Sequence, residues 1–166
     1  MIFCQLNFYE NTLNYVFKGI SSLNQLIQRV TSVLLYTLPL KDSLPFGIYL
    51  FYKFSFLNLL IFLTLPVAII ERSLPFGGLL FFLIIFAGVV RNPKVPYFVR
   101  YNACQALLLD IALIIISYLL RILPLVEFGS LVFISTLCIF IFSIYNCIFG
   151  LEPEIPFISK SVRMQI

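Results

Sequence analysis

Four long stretches of this 166-residue chain are free of charge or nearly so: 54–70, 73–90, 101–120 and 128–151, the third broken only by Asp110. A membrane-spanning helix needs about 20 apolar residues, with a range of roughly 17–25. All four stretches qualify, the first with help from Lys53, whose stem can snorkel towards the headgroups. Pro66 near the end of the first is tolerable where neighbouring helices pack against it. With 61% hydrophobic and 11% charged residues, the chain carries more apolar surface than a soluble domain of this size can hide. The sequence therefore predicts an all-α integral membrane protein with four transmembrane helices.

The basic residues predict its orientation. Lys18, Arg29, Lys41 and Lys53 precede the first span. Arg91, Lys94 and Arg100 lie between the second and third, and Lys160 and Arg163 follow the fourth. Only Arg72 and Arg121 fall on the other side. The positive-inside bias then puts both termini and the middle loop in the compartment where the chain is inserted. The net charge of +4 follows from the same bias. It gives no case for nucleic acid, because the basic residues are isolated within apolar sequence.

Residues 1–22 read as a peripheral lead-in with neither the basic start of a signal peptide nor the Arg- and Ser-rich character of a transit peptide. The expectation is a chain made where it works, or one whose presequence has been removed. From 23 to 39, Leu23, Leu26, Ile27, Val30, Val33, Leu34 and Leu38 recur at helical spacing, with Asn24, Gln25, Gln28, Arg29, Thr31 and Ser32 opposite. This predicts an amphipathic helix at the membrane interface, or against a partner protein, ended by Pro39. Residues 40–151 would hold the four spans and 152–166 a short tail along the protein or headgroup surface. The pentapeptide SLPFG occurs at 43–47 and again at 73–77, and reads as a helix start, with Ser as the cap and Pro in the first turn. Pro93 and Pro96 set off the third span, and Leu123–Pro124 marks its exit.

Chemistry-bearing residues are few. Cys4, Cys104, Cys138 and Cys147 show no C-x-x-C spacing and there is no histidine, so no metal site, cofactor or Ser–His hydrolysis is expected. One membrane aspartate does not make an aspartyl protease. What remains is a stripe on the third span. Asn102, Ala103, Ala106, Asp110, Ser117 and Arg121 fall within an arc of roughly 100°, interrupted by Leu113, and Gln105 lies off it. An ionised carboxylate at the bilayer centre costs about 2.5–3.5 kcal/mol on an insertion scale. Asp110 is thus either protonated or hydrogen-bonded to a neighbouring helix, or lines a hydrophilic path. No second acid or basic partner at matching depth is apparent.

Arg91–Arg121 also carries a resemblance. GVVRNPKVPYFVRYNACQALLLDI (88–111) is similar to the central motif of the twenty-kilodalton component of the plastid inner-envelope protein-import translocon, a family with cyanobacterial relatives and plastid-encoded algal forms. LLYTLPLKDSLPFG (34–47), IERSLPFGGLLFF (70–82) and PEIPFISKSVRMQI (153–166) resemble its flanking pieces. The resemblance implies a non-enzymatic four-helix subunit of the inner envelope membrane with both termini in the stroma. It would work in a hetero-oligomer with other translocon membrane subunits, membrane lipids and transiting precursor polypeptides, and be plastid-encoded. Asn102, Asp110, Ser117 and Arg121 are then the candidate path, with Arg91, Lys94 and Arg100 at its stromal mouth or simply fixing topology. The alternative is a structural subunit of another plastid or photosynthetic membrane complex.

Overall fold

The computed structural model of the chain describes residues 21–122, 126–156 and 158–166. The lead-in 1–20, Cys4 and the exit at Leu123–Pro124 lie outside these. Among the described residues every regular element is helical: α1 (21–35), α2 (Thr37–Ser43), α3 (Ile48–Lys53), α4 (Leu59–Ser73), α5 (Gly78–Ile85), α6 (Tyr97–Ile122), α7 (Val126–Phe149) and α8 (Ile158–Gln165). Short 3-10 turns at Leu44–Gly47 and Ser55–Asn58 precede α3 and α4, and a π turn, Phe86–Val90, extends α5.

Among the described residues three helices are long and apolar enough to cross a membrane: Ser55–Ser73, Tyr97–Ile122 and Phe128–Phe149. At 1.5 Å per residue the 26-residue α6 reaches about 39 Å, beyond a hydrocarbon core of about 30 Å. The fourth apolar stretch is shorter. Its helix starts only at Gly78 and has eight α and five π residues, about 20 Å in all. The missing length is the second SLPFG, which forms a turn with Phe76 at φ 65° and Gly77 at φ 50°. The left-handed region suits Gly and is unusual for Phe.

The two pentapeptides therefore differ, and neither serine caps a following helix as the sequence suggests. Ser43 closes α2 and Ser73 closes α4. Each hydroxyl donates back to a carbonyl three residues earlier, Leu40 O and Ile70 O, both at 2.7 Å. Back-bonding satisfies a carbonyl that the helix end would leave free. Pro39 likewise does not end the amphipathic helix. The break is at Tyr36, and Pro39 sits in the first turn of α2, where its missing N–H costs nothing.

The helical run therefore continues to Gly47, and it threads along α7 in the antiparallel sense. Arg29 Nη1 donates to Ile148 O at 2.8 Å, and Tyr36 lies beside Ser143. Further on, a Cβ on Gly47 would lie 2.8 Å from the Phe133 ring, and one on Gly129 would lie 3.4 Å from Phe46 O. Small residues let the two backbones approach at these crossings. In α1 the apolar residues Leu23, Leu26, Ile27, Val30 and Leu34 point outwards, while Ser32 on the polar face is buried.

The core gathers on the N-terminal half of α6, where every residue from Tyr101 to Leu107 is buried. Leu38, Ile85, Val90 and Val162 pack on one side of it, and Tyr36, Leu40, Phe140, Cys147 and Ile155 on the other. The tail is part of this packing. Arg100 holds its last residue, Nη2 to Ile166 O at 3.3 Å, and donates Nε to Val90 O at 2.9 Å. Leu59, Phe62, Ile69, Leu119, Ile141 and Phe149 leave large apolar surfaces outside, as lipid-facing helices do.

Candidate functional site

The stripe on α6 divides into three environments. Asn102 is fully buried in a closed polar knot. Tyr36 Oη bridges Asn102 Oδ1 and Gln105 Oε1, each at 3.1 Å, and Cys147 Sγ approaches Asn102 Oδ1 at 3.4 Å. Asn102 Nδ2 donates to Phe98 O at 2.7 Å. Gln105 Nε2 reaches Pro153 O at 3.0 Å and Ser159 Oγ at 3.3 Å, and Tyr101 Oη also reaches Pro153 O, at 3.4 Å. The knot ties α2, α6, α7 and the tail together through groups that would each be costly if left unpaired in lipid.

About two to four turns further along, the same face opens. Asp110 and Ser117 line a cavity of about 550 Å³ shared with Lys41 and Asp42 of α2, Glu71 of α4, and Gly78, Leu79 and Phe82 of α5. Lys41 Nζ is bonded to Glu71 Oε2 and lies 2.8 Å from Asp42 Oδ1. Asp110 is 6% exposed and its Oδ1 has no hydrogen-bond partner. The lone acid of the sequence reading thus has company: Asp42, Lys41 and Glu71 are the charged groups that act on it. Lys41, counted among the basic residues that precede the first span, is thus paired with Glu71 at the end of α4. Their opposite charges, costly apart in an apolar interior, are brought together by the packing of α2 on α4.

Arg121, at the far end of the stripe, is exposed, its guanidinium 5.9 Å from the Tyr118 ring. At the other end of α6, Arg91 and Lys94 are exposed in the α5–α6 loop, Arg91 over the Phe86 ring at 5.5 Å. Arg100 is instead engaged by the two carbonyls above. Sequence pattern alone does not mark Tyr36, Lys41, Asp42, Glu71 or Gln105 as members of the site. A signal for three of them was present: Lys41–Asp42 and Glu71–Arg72 stand directly before the two copies of SLPFG, with charges in opposite order.

The match with known proteins runs along nearly the whole chain. Residues 2–162 match the family described as chloroplast import apparatus Tic20-like. This chain belongs to that family. Among its Tic20 relatives, protein TIC 20-II, chloroplastic, of Arabidopsis thaliana is 31% identical over 150 residues, covering 84% of this chain and 72% of the relative. A Tic20 family protein of Synechocystis is 30% identical, over 83% of this chain and 92% of its own length. Tic20 family protein Ycf60 of Porphyra purpurea is 31% identical over 93% of this chain and 83% of its own. Family membership fits the multi-pass apolar helices. It also bears out the resemblance carried by Gly88–Ile111 and its flanking pieces.

Proposed function

We propose that this chain is a non-enzymatic membrane subunit of the plastid inner-envelope protein-import translocon, and that its Asp110 cavity contributes to the path of precursor polypeptides. Membership in a family of the chloroplast import apparatus supports the translocon role. The observation that carries the finer reading is the cavity itself: charged side chains from three helices, Lys41 and Asp42, Glu71, and Asp110, converge on one space inside an otherwise apolar bundle. Ionisable groups at membrane depth face a bundle interior or a wet cavity, and mark pathways more often than they serve as packing.

In this reading α4, α5 with its π turn, α6 and α7 are the four spans, and both termini face the stroma. Helix α1 turns its apolar face to the interfacial lipid. Asp110 and Ser117 belong to the path, Asn102 supports it from the knot, and Arg121 stands at its far end. Arg91 and Lys94 flank the stromal mouth, held in place through Arg100. A bundle of helices each about 10 Å across cannot enclose an extended polypeptide. The conducting wall must therefore be completed by partner subunits in a hetero-oligomer.

Photocrosslinking tests this. A photoreactive residue at Ser117, on the cavity, should form adducts with an arrested translocating precursor. The same probe at Ile115, which is 55% exposed and does not line the cavity, should form several-fold fewer. Import proceeding with no adduct at either position would make the chain a scaffold.

A further inference from the structure

The charges around Asp110 do not balance. Asp42, Glu71 and Asp110 bring three carboxyl groups to the cavity and Lys41 the one ammonium, which Asp42 and Glu71 already share. Arg72 is exposed and lines a neighbouring cavity that Lys41, Asp42 and Glu71 also border but Asp110 does not. One acceptor is left over: Asp110 Oδ1, on a residue only 6% exposed, for which the described residues supply no N–H donor, only the neighbouring Asp42 carboxyl group. An unfilled acceptor and surplus acid in an apolar interior call for a donor of positive charge.

A metal ion does not suit the site, since among the described residues no group of acids, cysteines or histidines converges tightly enough to hold one. The walls narrow the choice further. Leu79, Phe82, Leu113 and Ile114 line the approach to the carboxyl groups, so a ligand needs an apolar stem and a cationic head. Lysine and arginine side chains have that form, and about 550 Å³ is a volume that accepts one.

Resting on the path reading above, we infer that the Asp110 cavity is a waypoint for basic side chains of the passing polypeptide. It retains Lys and Arg longer than neutral residues and repels Glu and Asp. The guanidinium or ammonium donates to Asp110 Oδ1 while its stem lies along Leu113 and Ile114.

The test uses the assembled translocon with the photoprobe at Ser117 and a set of arrested precursors differing at one position beside the probe: Arg, Lys, Gln or Glu. Arg and Lys precursors should give at least about threefold more adduct than Gln, and Glu less than Gln, as a charge pair in a partly screened site allows. Asp110→Asn should bring the Arg yield down to that of Gln measured in the same variant. Asp42→Asn serves as the second variant should Asp110→Asn fail to assemble, and should reduce the Arg preference. Equal adduct yields from all four precursors would overturn the inference and leave the path reading standing. An Arg preference that survives both variants would overturn it by assigning the charge elsewhere. Adducts that join Ser117 to a partner subunit's basic residue, or none from any precursor, would overturn both.

Discussion

The two halves of α6 carry similar polar residues and use them in opposite ways. Around Asn102 and Gln105 each side chain has a donor or acceptor in reach, and the groups come from four separate parts of the chain. Around Asp110 the side chains share a cavity, one ammonium pairs with two of three carboxyl groups, and one oxygen of the third has no hydrogen-bond partner. A closed polar network stiffens a core, because losing any member strands the others. An open one leaves capacity for something else to bind. Hydropathy cannot distinguish them, since Asn, Gln and Asp all interrupt an apolar run in the same manner. What separates them is how completely the neighbouring elements cover the helix.

The largest expected effect comes from removing the cavity's only cation. Lys41→Met keeps the stem but leaves Asp42, Glu71 and Asp110 facing each other, and breaking this part-buried pair from one side should cost up to about 3 kcal/mol, the lower end of the range for fully buried pairs. Thermal unfolding in mild detergent should show a strong loss, with much of it recovered by adding Glu71→Gln. A loss no greater than that of an exposed substitution would mean that the cluster is solvated, and the contrast with the knot would collapse.

Gln105→Leu probes the knot. It strands the Pro153 carbonyl, apart from the longer bond to Tyr101, and takes one acceptor from the Tyr36 hydroxyl. A fully stranded group is worth about 1–3 kcal/mol and both of these keep one partner, so the loss should be smaller than for Lys41→Met. It should carry a distinct mark: faster proteolysis of residues 153–166, which the cavity variants leave protected. Equal protection in both sets would show that the knot does not hold the tail.

The long spans were legible from the sequence because unbroken apolar runs leave helices little choice. The stretch 101–120 lies inside α6, and 128–151 nearly coincides with α7. The second span was overestimated because apolarity alone does not reveal that Phe76 and Gly77 turn the chain. Gln105 was set aside for lying off the arc of Asn102 and Asp110. An arc assumes one covered face, whereas α6 is covered all round from Tyr101 to Leu107. Lys41 was counted with the topology-setting charges because its partner, Glu71, is thirty residues away. Long-range pairing of that kind leaves only an indirect trace, here the two opposite-charge dipeptides before the repeated SLPFG.

Asp110→Asn should have the smallest effect on stability and separates the two regions most cleanly. The amide has the same shape, removes one of the surplus carboxyl groups and strands no partner of Oδ1, because that oxygen has none. The amide carries no charge to repel Asp42 and Glu71, and it costs less to bury than a carboxylate. The variant should therefore unfold within about 1 kcal/mol of the parent chain, or later than it. At the knot, by contrast, every substitution takes a bond from something. A loss at Asp110 as large as that of Gln105→Leu would mean that Oδ1 is partnered in the membrane, most simply by a donor from another subunit. The open half of α6 would then be as closed as the first.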